Sequence, residues 1–174
     1  MLAGMNRTLA LAIAGAAVLA AAPANADWEK TRWGDPVEKV VAKAGPGAEP
    51  FAGTEKQRVF EQDYRARRRG EMNGVAVEWQ FFFNAGGGLS VVKIVPQDTA
   101  NCPAFLAMIR GTLAQPADTR VQKLGNLELK TEIHADKRKN LAMMVLDAST
   151  PSKSTQLCHI TYQSYGDGMP GLRK

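Results

Sequence analysis

Apolar positions recur along this chain with two periods. From Val75 to Phe83 they alternate: Val75, Val77, Trp79, Phe81 and Phe83 share one face, with Glu78 and Gln80 opposite. Phe82 falls out of phase and is expected on the exposed side. Asn84-Ala85-Gly86-Gly87-Gly88 is turn material, and Leu89 to Val95 follows as a β-branched run, so the pair predicts a hairpin. Three consecutive glycines can also cradle a phosphate, but that use needs a following helix and here a strand follows. Leu127, Leu129, Thr131 and Ile133 alternate with Glu128, Lys130, Glu132 and His134; a charged turn over 136–140 leads to an apolar strand, Leu141 to Leu146. After a polar loop, Leu157 to Tyr165 places Cys158, Ile160 and Tyr162 on one face.

The helical period shows twice. Val37, Val40, Val41 and Ala44 fall on one face behind Asp35-Pro36, an N-cap and first-turn pair with Glu38 beside it, and Gly45-Pro46 ends the run. Residues 45–50 then predict a loop or hinge. Phe105, Leu106, Ile109 and Leu113 line a second helix from about Pro103 to Leu113, stopped by Pro116, with Cys102 at its start on the apolar side. Residues 57–69 are two-sided: Phe60, Gln62, Tyr64 and Ala66 alternate as in a strand, while Phe60 and Tyr64 are also four apart; the strand is preferred. Trp28 and Trp33 precede the first helix and are placed as a lid on the core. The order predicts an α+β fold, an antiparallel β-sheet with two short helices packed on one face, and fits two αβββ halves.

The N-terminus changes the setting. Arg7 precedes a small and aliphatic run from Leu9 to Ala22, Pro23 breaks it, and Ala24-Asn25-Ala26 offers a signal-peptidase site before Asp27. A retained anchor would need about 20 strongly apolar residues, and this run is short and alanine-rich. Residues 1–26 are therefore expected to be a signal peptide, and residues 27–174 a single domain with a flexible tail from about 166, periplasmic or secreted. No transmembrane segment is expected after cleavage. Removing residues 1–26 from 174 leaves 148, and losing Arg7 takes the net charge from +5 to +4. That mild basicity does not point to nucleic acid, and an exported chain would rarely meet it.

An even cysteine count in an exported chain predicts a Cys102–Cys158 disulfide, with two separate buried thiols as the alternative. Two Cys and two His scattered this widely lack ligand spacing, so neither a metal nor a cofactor is expected.

A family resemblance rests on a few positions. Trp33-Gly34 ahead of a helix carrying Glu38, Val40 and Val41, then Phe81-x-Phe83, a glycine turn, Leu89-x-x-Val92, Cys102 opening a helix, and Leu157-Cys158-x-x-x-Tyr162 resemble small exported bacterial proteins with an architecture like the β-lactamase-inhibitor protein. Asp35 stands where Met or Ser often follows Trp-Gly, and the Tyr-Gly expected after the second helix is absent. The resemblance implies a fold family and an envelope location, and no catalytic residues.

Candidate chemistry is sparse. Arg65, Arg67, Arg68 and Arg69 form the densest cationic cluster; guanidinium forks bind phosphate and carboxylate, and alternation would send Arg65, Arg67 and Arg69 to one face. Against that stands a solvated strand balanced by Glu61, Asp63 and Glu71. His134 and His159 both alternate out of phase with their apolar neighbours and are expected to face away from the core. Sharing the open sheet face, a His pair could bind metal or move protons; two solvated surface histidines are the preferred reading. No nucleophile motif, carboxylate pair or ligand set is visible, so an enzyme is not the first expectation. The chain is expected to be a binding or protein-interaction module meeting an envelope protein or an anionic envelope surface. The alternatives are an envelope hydrolase with a carboxylate-based site, or an anion-binding protein using the arginine cluster.

Overall fold

The computed structural model describes residues 27–52, 58–59, 62–136, 140–152 and 156–165. The expected signal peptide over residues 1–26, Phe60, Glu61 and the expected tail from 166 lie outside the described residues. Two short strands, β1 (Asp27–Trp28) and β2 (Thr31–Arg32), lead to α1 (Val37–Lys43). Then come β3 (Ala48–Pro50), β4 (Arg58–Val59), β5 (Gln62–Met72), β6 (Val75–Phe83) and β7 (Leu89–Pro96). A 3₁₀ turn, Thr99–Asn101, opens α2 (Cys102–Thr112), followed by β8 (Asp118–Leu124), β9 (Leu127–Asp136), β10 (Leu141–Ser149) and β11 (Gln156–Ser164).

The fold is α+β. One antiparallel sheet runs β3-β5-β6-β7-β11-β10-β9-β8, with β4 pairing the outer side of β5. The meanders β5-β6-β7 and β9-β10-β11 meet where β7 pairs β11, and each is preceded by a helix and an edge strand. Beyond αβββ the first half carries β3 and β4 and the second carries β8. Residues 57–69 are strand wherever they are described, and the expected loop at 45–50 contains β3.

Both helices pack on one face. Val40 of α1, Ala44 at its C-cap, and Phe105, Leu106 and Ile109 of α2 share a core with Val77, Trp79, Phe81, Val92, Val145 and Ile160. Trp28 closes it, its ring edge-on to Phe81 at 5.5 Å between centroids. Cys102 and Cys158 meet with Cα atoms 5.7 Å apart, their sulfurs at bonding distance, and pin the start of α2 to β11. Among the described residues no helix is long and apolar enough to cross a membrane.

Turn chemistry sets the register. Asn73 and Gly74 both hold positive φ in the two-residue link that pairs Met72 with Val75. Gly88 lies so close to Gly34 that a Cβ there would sit 3.0 Å from its Cα. This approach lets Gly34 N–H donate to the Leu89 carbonyl at 2.8 Å, and Leu89 N–H to the Asp35 carbonyl at 2.8 Å. Trp33-Gly34 is thus a fitted contact with the glycine turn.

Two local expectations are corrected. Phe82 is not exposed: it is fully buried on the face away from the helices, between Tyr64 and Val91 and next to Phe51, whose ring stacks on Tyr64 at 4.1 Å. Asp35 does not cap α1, whose N-cap position is Pro36. It is buried and accepts from Arg32 N–H at 3.0 Å, while Lys39 and Lys43 reach it at 2.6 and 3.4 Å. Burial alone would raise the Asp35 carboxyl, but the Lys39 and Arg32 hydrogen bonds and the two lysine charges outweigh it and hold it below the usual range. A depressed carboxylate contributes stability that is complete above its unfolded pKa of about 4 and is lost as pH falls through the folded value. Asp35→Asn is expected to cost about 1–3 kcal/mol at neutral pH, with the difference from wild type shrinking on acidification. Urea unfolding from about pH 6 down to about pH 2.5 measures it; a constant difference would refute this role.

Candidate functional site

The site is built by the way α2 ends. The Thr112 hydroxyl donates back to the Ile109 carbonyl at 2.8 Å, and Leu113 turns extended. Pro116 cannot continue a helix, and Ala117 N–H docks on the Ile133 carbonyl at 2.7 Å. Residues 113–117 therefore arch over β9 on the helix side of the sheet. Beneath the arch lies a cleft of about 630 Å³, lined by Leu113, Ala114, Gln115, His134, Leu141 and Met143 among others. A lobe of about 190 Å³ adjoins it, sharing His134 and the arch and reaching Arg110 and Glu132.

The phase of β9 supplies the polar wall. Glu132 pairs with Val145 and His134 with Met143, and Val145 belongs to the core under the helices. Glu132 and His134 therefore point to the helix side, and Ile133 to the other, where it packs with Ala142, Met144 and Tyr165. This overturns the expectation that His134 and His159 share a face: His159 pairs with Leu146 on the reverse side. Alternation was read correctly, but the assumption that apolar residues face the helices fails on β9. α2 packs chiefly on β11, two strands away, and over β9 its end offers a guanidinium.

That guanidinium is Arg110. Its Nε donates to Glu132 Oε2 at 3.0 Å and its Nη2 to Asp147 Oδ2 at 3.3 Å. Lys130 reaches the other Glu132 oxygen at 2.6 Å, and Gln156 donates to Asp147 Oδ1 at 2.9 Å. Burial would raise the Glu132 carboxyl, but the Lys130 and Arg110 contacts prevail and keep it low. His134 is 6 % exposed. Burial pushes its pKa down, against the opposing pull of the Glu132 charge and a hydrogen bond to the Ala114 backbone. The downward shift favours the neutral ring, and its Nε2 is buried without a partner among the described residues. A neutral imidazole with one N–H held by a carbonyl leaves its other nitrogen as an acceptor.

The arginine cluster is divided. Arg65 is the extra residue of a β-bulge between Tyr64 and Ala66; it is exposed and borders a groove of about 460 Å³ with Val37, Val41 and Phe51. It is thus outside the regular alternation that would have grouped it with Arg67 and Arg69. Arg67 pairs with Glu49 at 2.7 Å and Arg69 with Glu78 at 2.9 Å, both on the reverse face. Arg68 turns to the helix side, its guanidinium 3.8 Å from the Trp79 ring centroid, and binds the Ala44 carbonyl and Glu29. Of the cleft residues only His134 was singled out in the sequence as candidate chemistry, and on the wrong face. One signal was available: Cys102, Leu106 and Arg110 follow at i, i+4, i+8 on α2, so an arginine continuing an apolar stripe calls for carboxylates beneath it.

Among the described residues no group of three or more His, Cys, Asp or Glu is placed to hold a metal ion. The chain matches no family model and no curated protein.

Proposed function

We propose that this chain is an exported binding module that takes a small, neutral, largely apolar ligand into the cleft beneath the end of α2. The observation that carries this reading is the Nε2 of His134, without a partner among the described residues, in the wall of a cleft that Leu113, Ala114, Leu141 and Met143 line together with Thr112, Gln115 and Asp136. A buried acceptor without a donor is costly, and a ligand N–H or O–H would satisfy it. Apolar walls with a few placed polar groups are the usual make-up of small-molecule sites. The export signal over residues 1–26 and the Cys102–Cys158 pair support an extracytoplasmic setting.

The hydrolase alternative finds less support. Glu132 and Asp147 are both engaged by Arg110, and the Thr112 hydroxyl donates to the Ile109 carbonyl. Neither carboxylate is left as a free base. The arginine-surface alternative is weakened by the pairing of Arg67 with Glu49, Arg69 with Glu78 and Arg68 with Glu29.

N-phenyl-1-naphthylamine is a suitable probe: neutral, aromatic, with one N–H. Its fluorescence is expected to rise on 1:1 saturable binding. Met143→Trp should abolish the signal by filling the cleft, and His134→Leu should weaken binding by about tenfold, the value of one buried hydrogen bond. Binding that survives Met143→Trp unchanged would place the probe elsewhere and remove the support for this site.

A further inference from the structure

The reverse face of the sheet carries a row of partners that crosses seven strands in register: Glu49, Arg67, Gln80, Lys93, Thr161, Met144 and Ile133. Charge in this row is balanced everywhere but at its centre. Arg67 is held by Glu49. Gln80 gives its Nε2 to Glu78 at 2.9 Å, and its Oε1 is buried without a partner among the described residues. Lys93, half-buried on β7, has no ion pair or hydrogen bond among the described residues, and burial alone displaces its pKa, downward. The nearest acid diagonally across the sheet, Glu78, is already shared by Tyr64, Arg69 and Gln80. On the other side His159 is held neutral, its pKa pushed down to about 3 by burial and by the Lys93 charge. A half-buried ammonium without a counter-ion is a costly arrangement.

The surroundings state what would balance it. From Lys93 toward β9 the reverse-face positions carry no acid: Thr161 and His159 on β11, Met144 and Leu146 on β10, Leu129 on β9. Leu157, at the end of this field, is 49 % exposed. One unpaired cation thus borders a band of aliphatic and thioether side chains. We propose that the reverse face binds an amphipathic monocarboxylate, its head on Lys93 and its hydrocarbon along Met144, Leu146 and Leu157. Among the described residues Lys93 is the one cation of this row without a counter-ion, which matches a monoanion. A phosphate dianion would need a second cation, and Arg67 and Arg69 are both committed to carboxylates.

Laurate is the probe, titrated calorimetrically into the whole exported protein below its micellar concentration. We expect 1:1 binding at about 10–100 µM. Acetate, without the chain, and dodecanol, without the charge, should each bind at least about tenfold more weakly. Lys93→Met should lose at least about tenfold in laurate affinity while staying folded, because it removes an uncompensated buried charge; its melting temperature checks this. Met143→Trp, on the opposite face, should leave laurate binding intact. The proposal fails if Lys93→Met binds laurate as wild type does, if dodecanol binds equally well, or if Met143→Trp abolishes binding and so places laurate in the cleft. It fails also if the protein associates with oleate-containing vesicles but not with monomeric laurate, which would make the target a membrane surface.

Discussion

Removing the Cys102–Cys158 bond is expected to lower the melting temperature by roughly 10–15 °C, whether by reduction or by the double substitution Cys102→Ala/Cys158→Ala. The bond closes a loop of 56 residues in sequence separation. Chain entropy for a loop of that length amounts to about 4 kcal/mol at 25 °C, a large share of the ~5–15 kcal/mol available to a domain. Where the bond sits makes the effect specific. α2 is held at two ends: Cys102 ties its first turn to β11, and Arg110 ties its last turn to Glu132 of β9 and Asp147 of β10. Between them Phe105, Leu106 and Ile109 are packed into the core. Loss of the bond should leave the folded state intact at low temperature, because this packing remains, and should appear mainly as a lower unfolding midpoint. Differential scanning calorimetry with and without reductant measures it, and peptide mapping under non-reducing conditions should recover both cysteines in one linked fragment. An unchanged midpoint after complete reduction would contradict the assigned role.

The parts of the fold that were legible in the sequence are those where burial and periodicity agree. Val75 to Phe83 and the Cys158, Ile160, Tyr162 phase predict strands and their core faces because helices cover those strands. β8 was not legible: Asp118 to Leu124 is exposed at nearly every position, so no hydrophobic alternation marks it. Its signal was the turn, since Gly125 at positive φ and Asn126 link Leu124 directly to Leu127. β9 shows the opposite failure. Its alternation is clear, but which face meets the helices depends on how far α2 reaches across the sheet. The candidate cleft lies at that boundary, where Glu132 and His134 sit under the end of a helix. Phe82 was misplaced for a related reason: it was assigned to solvent by default, and the sheet has a second apolar cluster on its reverse face.

Arg68 shows how a residue singled out for binding becomes structural once its neighbours are known, and Arg68→Ala is expected to cost roughly 2–4 kcal/mol. In sequence it belongs to the arginine run, but strand alternation separates it from Arg67 and Arg69. Its side chain is 14 % exposed and lies over Trp79, with the Trp28 ring 5.8 Å away. A guanidinium desolvated on an aromatic face is stabilised by up to about 2 kcal/mol. It also donates to the Ala44 carbonyl at the C-terminal end of α1, where an unsatisfied carbonyl and the helix dipole both favour a cation. Truncation would remove these contacts together and uncover two core tryptophans. Arg68→Lys should recover only part of the loss, since an ammonium cannot stack on Trp79 and keep the same fork toward Ala44 and Glu29. Arg67→Ala is the contrasting case: its partner Glu49 is half-exposed, and such surface pairs contribute about 0–1 kcal/mol. Urea unfolding followed by tryptophan fluorescence should rank the variants wild type, Arg67→Ala, Arg68→Lys, Arg68→Ala in order of falling midpoint. Equal midpoints for Arg67→Ala and Arg68→Ala would return Arg68 to the solvated surface.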